Sequence, residues 1–245
     1  MKICVAQTKP IKGNIPRNIA GHKKLIDPAI SNGVDLIIFP ELSLTGYEPK
    51  LAKELATDRN DSRLDIFQEI SDASNITIGV GMPTKSNGDI LISMILFQPG
   101  AAREIYSKQY LHADEYPYFS NGQHQIFLAG NSKKIALAIC YELSVPEHSE
   151  NAFKNGADVY IATVAKSTQG VEKATQSLSE IANKYSVPVL MSNCVGPCDD
   201  FESAGTTSVW NDNGILVGKL NSRNEGILIL DTDTQELMTH MILDK

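Results

Sequence analysis

The chain has 245 residues, 42% of them hydrophobic and 21% charged, which is ordinary for a globular protein with a sizeable core. Its formal net charge of −7, without any basic block, argues against nucleic-acid binding. No apolar run approaches the roughly 18 residues of a membrane span, and residues 1–7 would make a poor signal peptide. The four cysteines do not resemble a disulfide framework, and Cys194 and Cys198 lack a second pair at zinc-binding spacing. We therefore expect a cytoplasmic protein.

The predicted elements begin with a β-α-β unit. Residues 2–7 and 34–39 are apolar and predict strands, and the helical pattern between them starts at Asn14 and stops at Asn32-Gly33. Parallel pairing of the two strands follows from this order. Further helices are predicted at residues 61–74, 146–155 and 171–185. Further strands are predicted at residues 77–82, 89–97, 102–107, 126–128, 135–139, 158–163, 187–194, 206–210, 215–219 and 226–230.

No linker, repeat or low-complexity block interrupts these elements, so we expect one α/β domain over residues 1–245. Many strands with few helices indicate two packed sheets with the helices outside. The polar and aromatic segment 108–122 has no periodic pattern and predicts a long connection, a kind of loop that is often functional.

Three apolar strands end in a residue that can do chemistry: Glu41, Lys108 and Cys140. Neighbouring strands that end at one edge of a sheet would bring a carboxylate, an ammonium and a thiol together. The carboxylate can take the thiol proton, the thiolate can attack a carbonyl carbon, and the ammonium can stabilise the oxyanion. Taken singly, each also fits a structural interpretation: a solvated turn residue, a strand-end cation and a small buried hydrophobe.

The surrounding residues carry a family resemblance. Residues 39–47 resemble the glutamate motif of the nitrilase, or carbon–nitrogen hydrolase, superfamily, and residues 107–111 its lysine motif. Residues 139–147 are similar to its cysteine motif, and residues 193–196 to its later Asn-x-x-Gly segment. The motifs come in the family's order and span essentially the whole chain. The resemblance implies a four-layer α-β-β-α sandwich, a single carbon–nitrogen hydrolase domain and a homodimer.

The resemblance also implies roles for the three strand-end residues. Glu41 would be the general base, Lys108 the oxyanion stabiliser and Cys140 the nucleophile that forms a thioester with a small-molecule amide. The N–H of Tyr141 would help to hold the oxyanion. Release of ammonia or an amine, followed by hydrolysis of the thioester, needs no metal and no organic cofactor.

Two further residues are placed in the site by the same resemblance. Glu115 stands where the family often has a second active-site glutamate, with Asp114 as its rival and a solvated loop residue as the alternative. Tyr47, at the end of the glutamate motif, is expected to support the site or the substrate.

The substrate prediction depends on departures from the family pattern. Glu142 and the two residues after it stand where many members have an aspartate and then an arginine, and Cys-Tyr-Glu differs from the Cys-Trp-Glu of true nitrilases. This favours amides over nitriles. Lys166 stands close to where many relatives have an aromatic residue, and it would pair with a substrate carboxylate, favouring an ω-amide or a carbamoyl acid. A surface lysine before a turn is the alternative.

Other interpretations remain open. Cys140 could act with His112 or His124 in the manner of a thiol protease, the same three residues could hydrolyse nitriles, or the fold could be a catalytically silent small-molecule sensor. The histidines show no metal-binding spacing, and residues 79–81 are better explained by packing than by a dinucleotide loop. Trp210 and residues 238–243 predict core or dimer contacts.

Overall fold

A computed structural model describes residues 1–124, 126–130 and 133–242. The strands are β1 (Lys2–Gln7), β2 (Leu36–Ile38), β3 (Thr77–Ser86), β4 (Asp89–Phe97), β5 (Glu104–Ser107), β6 (Phe127–Gly130), β7 (Lys133–Ile139), β8 (Val159–Val164), β9 (Val189–Asn193), β10 (Val195–Cys198), β11 (Phe201–Ala204), β12 (Ser208–Trp210), β13 (Leu216–Lys219), β14 (Gly226–Asp231) and β15 (Leu237–Met241). The α-helices are α1 (Ile15–Ser31), α2 (Ala52–Leu55), α3 (Asp65–Ser74), α4 (Pro146–Lys154) and α5 (Thr168–Tyr185). Short 3-10 helices occupy Pro49–Leu51, Ser62–Leu64 and Cys140–Ser144.

The strands form two large mixed sheets. The first has the order β15-β14-β1-β2-β3-β4-β5, and the second has the order β13-β12-β9-β8-β7-β6. The predicted parallel pairing of the opening unit is confirmed, since Cys4 of β1 lies opposite Ile37 of β2. In the second sheet β7 and β8 are also parallel, with Ala138 opposite Ala162.

The side chains of each sheet divide between two apolar layers. In β1, Ile3 and Val5 point into the cluster between the two sheets, whereas Cys4 and Ala6 join the cluster that contains residues of α1 and α3. A third cluster joins the outer face of the second sheet to α5. Because successive residues of a strand point to opposite faces, strands buried on both sides must be apolar throughout. The predicted four-layer α-β-β-α sandwich is confirmed.

Two strand pairings were not predicted. The hairpin β10–β11 forms a separate two-stranded ladder, and β15 adds to β14 at the edge of the first sheet. Residues 238–241 of the predicted contact segment therefore lie in β15, whereas Leu243 falls outside the described residues. Trp210 is buried in the core, as predicted. Over the part of the chain that is described, no helix is long and apolar enough to cross a membrane.

Candidate active site

Glu41 lies in a tight loop that follows β2. The loop packs on Gly81 of β3, whose N–H donates to Ser43 Oγ at 3.2 Å and whose carbonyl accepts the Leu44 N–H at 3.0 Å. A Cβ atom at Gly81 would overlap the backbone of Pro40 and Leu42, so only glycine allows this approach. The packing interpretation of residues 79–81 therefore holds, and it accounts for the fixed position of the Glu41 carboxylate.

Lys108 follows β5 and places its ammonium between two carboxylates. Nζ lies 2.9 Å from Oε1 of Glu41 and 2.7 Å from Oε1 of Glu115, and all three side chains are buried. Burial lowers the pKa of Lys108, but Glu41, Cys140 and Glu115 raise it, so the net pKa lies above its ordinary value. The lysine is therefore a permanent cation at the centre of this cluster.

Glu115, rather than Asp114, occupies the second carboxylate position. Its Oε1 also accepts the hydroxyl of Tyr47 at 3.0 Å, and its Oε2 accepts the N–H of His112 at 2.7 Å. Asp114 has a largely exposed side chain that is bonded to the ring of His112. Tyr47 therefore supports Glu115 directly, and both Glu115 and Glu41 bind the ammonium of Lys108.

Cys140 stands at the junction between β7 and the short helix Cys140–Ser144. Its φ of +50° is uncommon for a residue other than glycine, and such strained positions cluster at functional sites. The residue is partly exposed to a cleft. Burial of the sulfur, together with the charge of Glu41, raises the pKa of the thiol to about 11, while Lys166 and Lys108 oppose the rise.

The carboxyl of Glu41 and the thiol of Cys140 influence each other's pKa. Burial raises the pKa of Glu41, the charge of Lys108 lowers it, and a contact from the Cys140 thiol also lowers it. Considering the described residues, Oε2 of Glu41 is buried and accepts no hydrogen bond of ordinary geometry. The thiol contact is therefore long or poorly aligned, and Oε2 is the acceptor available to a proton from the sulfur.

The expectation that these residues end neighbouring strands at one edge of one sheet is wrong. Glu41 and Lys108 follow β2 and β5, which belong to the first sheet but are separated there by β3 and β4. Cys140 follows β7, which belongs to the second sheet. The three residues meet because the two sheets are stacked face to face, and a strand pattern does not reveal which sheet a strand joins.

The cleft above Cys140 has a volume of about 670 Å³ and is open to solvent. Its charged side chains are Asp114, Glu115, Lys166, Lys173, Asp199 and Asp200, and its aromatic side chains are Tyr47, Tyr118, Tyr141 and Phe201. The backbone of Lys166 is fixed, since its N–H donates to Oδ1 of Asn193 at 3.0 Å and its carbonyl accepts the N–H of Ala204 at 2.9 Å. The cleft therefore contains both cations and carboxylates close to the thiol.

The two histidines that the sequence offered as partners of Cys140 lie in different places. His112 also lines the cleft, and its ring contacts Tyr141 at 5.4 Å between centroids, whereas His124 lines a separate pocket beside Ser107 and Gly122. The structure therefore does not bring His124 to Cys140. A search of the described ranges finds no group of three or more His, Cys, Asp or Glu placed to hold a metal ion.

Sequence reasoning missed Lys173 and gave Glu142 no structural task. Lys173 lies on α5, four residues after Gln169, and both line the cleft. Spacing of three to four residues along the predicted helix is the signal that could have located it. Glu142 is fully buried. A carboxylate two residues after a strand-end cysteine gives no indication of burial in the sequence.

A comparison with family models finds that the model described as Carbon-nitrogen hydrolase matches residues 2–239. Among curated proteins, the chain is 26% identical to the glutamine-dependent NAD(+) synthetase of Acinetobacter baylyi, over 96% of this chain and 44% of that protein. It is also 26% identical to the 2-oxoglutaramate amidase of Bacillus subtilis, over 84% of this chain and 81% of that protein. The chain thus spans less than half the length of the synthetases that it matches.

Among solved structures, a variant of the amidase from Nesterenkonia sp. AN1, carrying acrylamide added to its active-site cysteine, superposes with a TM-score of 0.85. The match covers 94% of this chain and 92% of the amidase at 20% identity, so it is evidence for the fold. The fold, the ordered motifs and the family match over residues 2–239 agree, and the chain belongs to the carbon–nitrogen hydrolase family of the nitrilase superfamily.

Proposed function

We propose that the chain hydrolyses the C–N bond of a small linear amide, either an ω-amide or a carbamoyl compound, through a thioester on Cys140. The observation that carries the proposal is the buried ammonium of Lys108, held between Glu41 and Glu115 and close to a thiol that opens to a cleft. These are the base, the cation and the nucleophile that acyl transfer requires.

In the proposed mechanism Glu41 must act with the thiol rather than after it. A pKa of about 11 leaves the Cys140 sulfur protonated at neutral pH, so the proton has to move to Glu41 as the sulfur attacks the carbonyl carbon. The carbonyl π electrons become an oxyanion, which Lys108 and the N–H of Tyr141 stabilise. Its collapse breaks the C–N bond, the leaving nitrogen takes the proton, and water then hydrolyses the thioester with Glu41 as base.

The position of Lys166 in the cleft favours a substrate that carries a carboxylate. Its charge is close enough to Cys140 to lower the pKa of the thiol, and it lines the same cleft. Two relatives are named for glutamine and 2-oxoglutaramate, which share a terminal amide and a distant carboxylate. An ω-amide with its amide at Cys140 and its carboxylate at Lys166 fits both observations.

The test measures ammonia release from ω-amides, carbamoyl acids, neutral amides and nitriles by the wild type and by Cys140→Ala. We expect release from acidic amides, no release by the alanine variant, and an acyl adduct on Cys140 in the intact mass. Preferential turnover of nitriles would replace the amidase by a nitrilase. If no compound in the panel is turned over and no adduct forms on Cys140, the result would favour a catalytically silent small-molecule sensor.

The substrate class is tested by Lys166→Ala, with Lys154→Ala as a control at an exposed position on α4. Loss of one charge-assisted contact is worth about 1.4 kcal/mol or more, so KM for an acidic amide should rise about tenfold or more while KM for a neutral amide stays the same. An unchanged ratio of the two KM values would remove Lys166 from the proposal.

A second arrangement rests on His112, which lines the cleft and is hydrogen-bonded to Asp114. In a thiol-protease mechanism this histidine would take the proton of Cys140. His112→Ala distinguishes the two, because it should abolish turnover only if the imidazole is the base. We also propose that the chain acts as a cytoplasmic homodimer; light scattering on the purified protein and cell fractionation test the two parts.

A further inference from the structure

Glu142 connects the two sheets directly behind the candidate active site. Its Oε1 accepts the N–H of Gln109 at 2.5 Å, and its Oε2 accepts the N–H of Ile139 at 2.6 Å. Gln109 is the residue after Lys108, and Ile139 is the residue before Cys140. One carboxylate therefore binds the backbone next to the ammonium and the backbone next to the thiol.

Among the strands described, no β-ladder joins the backbone next to Lys108 to the backbone next to Cys140. Lys108 follows β5 at the end of the first sheet, and Cys140 follows β7 in the second sheet, so the two backbones share no strand pairing. Packed apolar side chains hold the sheets together but do not fix a position along the strands as hydrogen bonds do. The two bonds to Glu142 supply that constraint at the residues next to Lys108 and Cys140.

A chain of hydrogen bonds holds the Glu142 carboxylate itself. The hydroxyl of Tyr106 donates to Oε2 at 2.6 Å and lies 2.9 Å from Nε2 of His148, whose Nδ1 lies 2.8 Å from the hydroxyl of Tyr160. Burial lowers the pKa of His148 to about 4, so the ring is neutral. Because the Tyr106 proton is used on Glu142, Nε2 of His148 donates to Tyr106 and Nδ1 accepts from Tyr160. Every member of this chain has a partner. Burial raises the pKa of Glu142 to about 7, and the bonds from Tyr106, Ile139 and Gln109 oppose this rise and so favour the carboxylate.

We propose that Glu142 is a positioning residue that sets the distance between Lys108 and Cys140, and so determines how well Lys108 meets the oxyanion. The proposal rests on the amidase mechanism given above for its effect on turnover, but not for its geometry. A misplacement of about 1 Å can reduce a rate about 100-fold. Glu142 is fully buried and does not line the cleft, so it should not contact a substrate there.

The test compares Glu142→Gln with Glu147→Gln, a matched change on the exposed surface of α4. The glutamine amide has the same shape but turns a donor toward one of the two backbone N–H groups. We expect kcat to fall about 100-fold with KM changed less than about threefold. Tyr106→Phe keeps both backbone bonds and should lower kcat by much less. A Glu142→Gln variant with unchanged kcat would overturn the proposal.

Alkylation of Cys140 by iodoacetamide gives a readout that does not need turnover. Apart from burial, the largest effects on the pKa of the thiol come from the charges of Glu41, Lys166, Lys108 and Glu115. A cation that moves from about 4 to about 5 Å from a thiol, at an effective dielectric constant of about 20, raises the pKa of that thiol by about 0.6 unit. The alkylation profile of Glu142→Gln should therefore shift to higher pH, and that of Glu147→Gln should not.

The outcomes separate the two proposals. Loss of kcat together with the shifted alkylation profile supports positioning. Loss of kcat, of alkylation amplitude and of folded protein in the same proportion shows a purely structural residue and overturns it, as does an unshifted profile. A wild type that releases no ammonia from any amide refutes the amidase, while the alkylation profile still decides the role of Glu142.

Discussion

Replacing Lys108 by methionine tests the electrostatics of the buried cluster. Methionine has a similar length and no charge, so Lys108→Met leaves the carboxylates of Glu41 and Glu115 buried without the cation that lies 2.9 and 2.7 Å from them. Removing one partner of a buried ion pair costs about 3–5 kcal/mol. For a chain of this size such a loss lowers Tm by about 10 °C.

The loss of unfolding free energy in Lys108→Met, here called the stability deficit, should be larger at high pH than at low pH. Burial already raises the pKa of Glu41, and loss of the ammonium that opposes this rise moves it further above its unfolded value. A carboxyl with a raised pKa in the folded state favours folding at low pH, and this contribution is lost as pH rises through that pKa. The unfolding free energy of Lys108→Met should therefore be closer to that of the wild type at pH 5.5 than at pH 8.

Denaturant unfolding of both proteins at the two pH values measures the deficit. Lys184→Met is the control, since Lys184 forms an exposed pair with Glu150 at 3.3 Å, and such pairs contribute less than about 1 kcal/mol. A Lys108→Met variant with the same deficit at both pH values, or with a deficit no larger than that of the control, would refute the reasoning.

Two further predictions concern buried titratable groups. Burial is the larger cause of the raised pKa of Cys140, and the charge of Glu41 adds to it. In Glu41→Gln, Cys140 should therefore be alkylated by iodoacetamide at lower pH than in the wild type, while ammonia release is lost. A shift of the alkylation profile to higher pH would contradict this. Burial lowers the pKa of His22 from 6.5 to about 4, so the wild type should lose about 2 kcal/mol of unfolding free energy through this ring between pH 7.5 and pH 5. His22→Gln should lack this loss, and parallel stability curves for the two proteins would contradict it.

The layers of this fold could be predicted because buried strands have a distinct composition. Residues 3–6 of β1, 135–139 of β7 and 159–162 of β8 are apolar without a break, as burial on both faces requires. The edge strand β15 has half-exposed and exposed side chains, so its sequence has no such signal and it forms through pairing with β14.

The sequence alone does not determine which of two adjacent carboxylates, Asp114 or Glu115, enters the site. Asp114 and Glu115 have the same charge and stand in the same loop, yet only Glu115 is buried. The N–H of His112 decides between them, because it bonds a carboxylate three residues further on and turns it inward. That choice depends on the path of the loop between Lys108 and Gly122, whose N–H returns to the carbonyl of Lys108 at 2.7 Å.

The pairing of Lys108 with two carboxylates explains how the cluster can carry out the proposed reaction without a change in its total charge. Before attack the charges are those of Glu41, Glu115 and Lys108. When Glu41 takes the thiol proton it becomes neutral, and an oxyanion forms at the same moment, so the negative charge moves to a new partner of Nζ. Glu115 keeps Lys108 in place during this exchange, with the shorter contact of 2.7 Å against 2.9 Å to Glu41. Little reorganisation is then needed, which is the condition under which fixed charges lower a barrier.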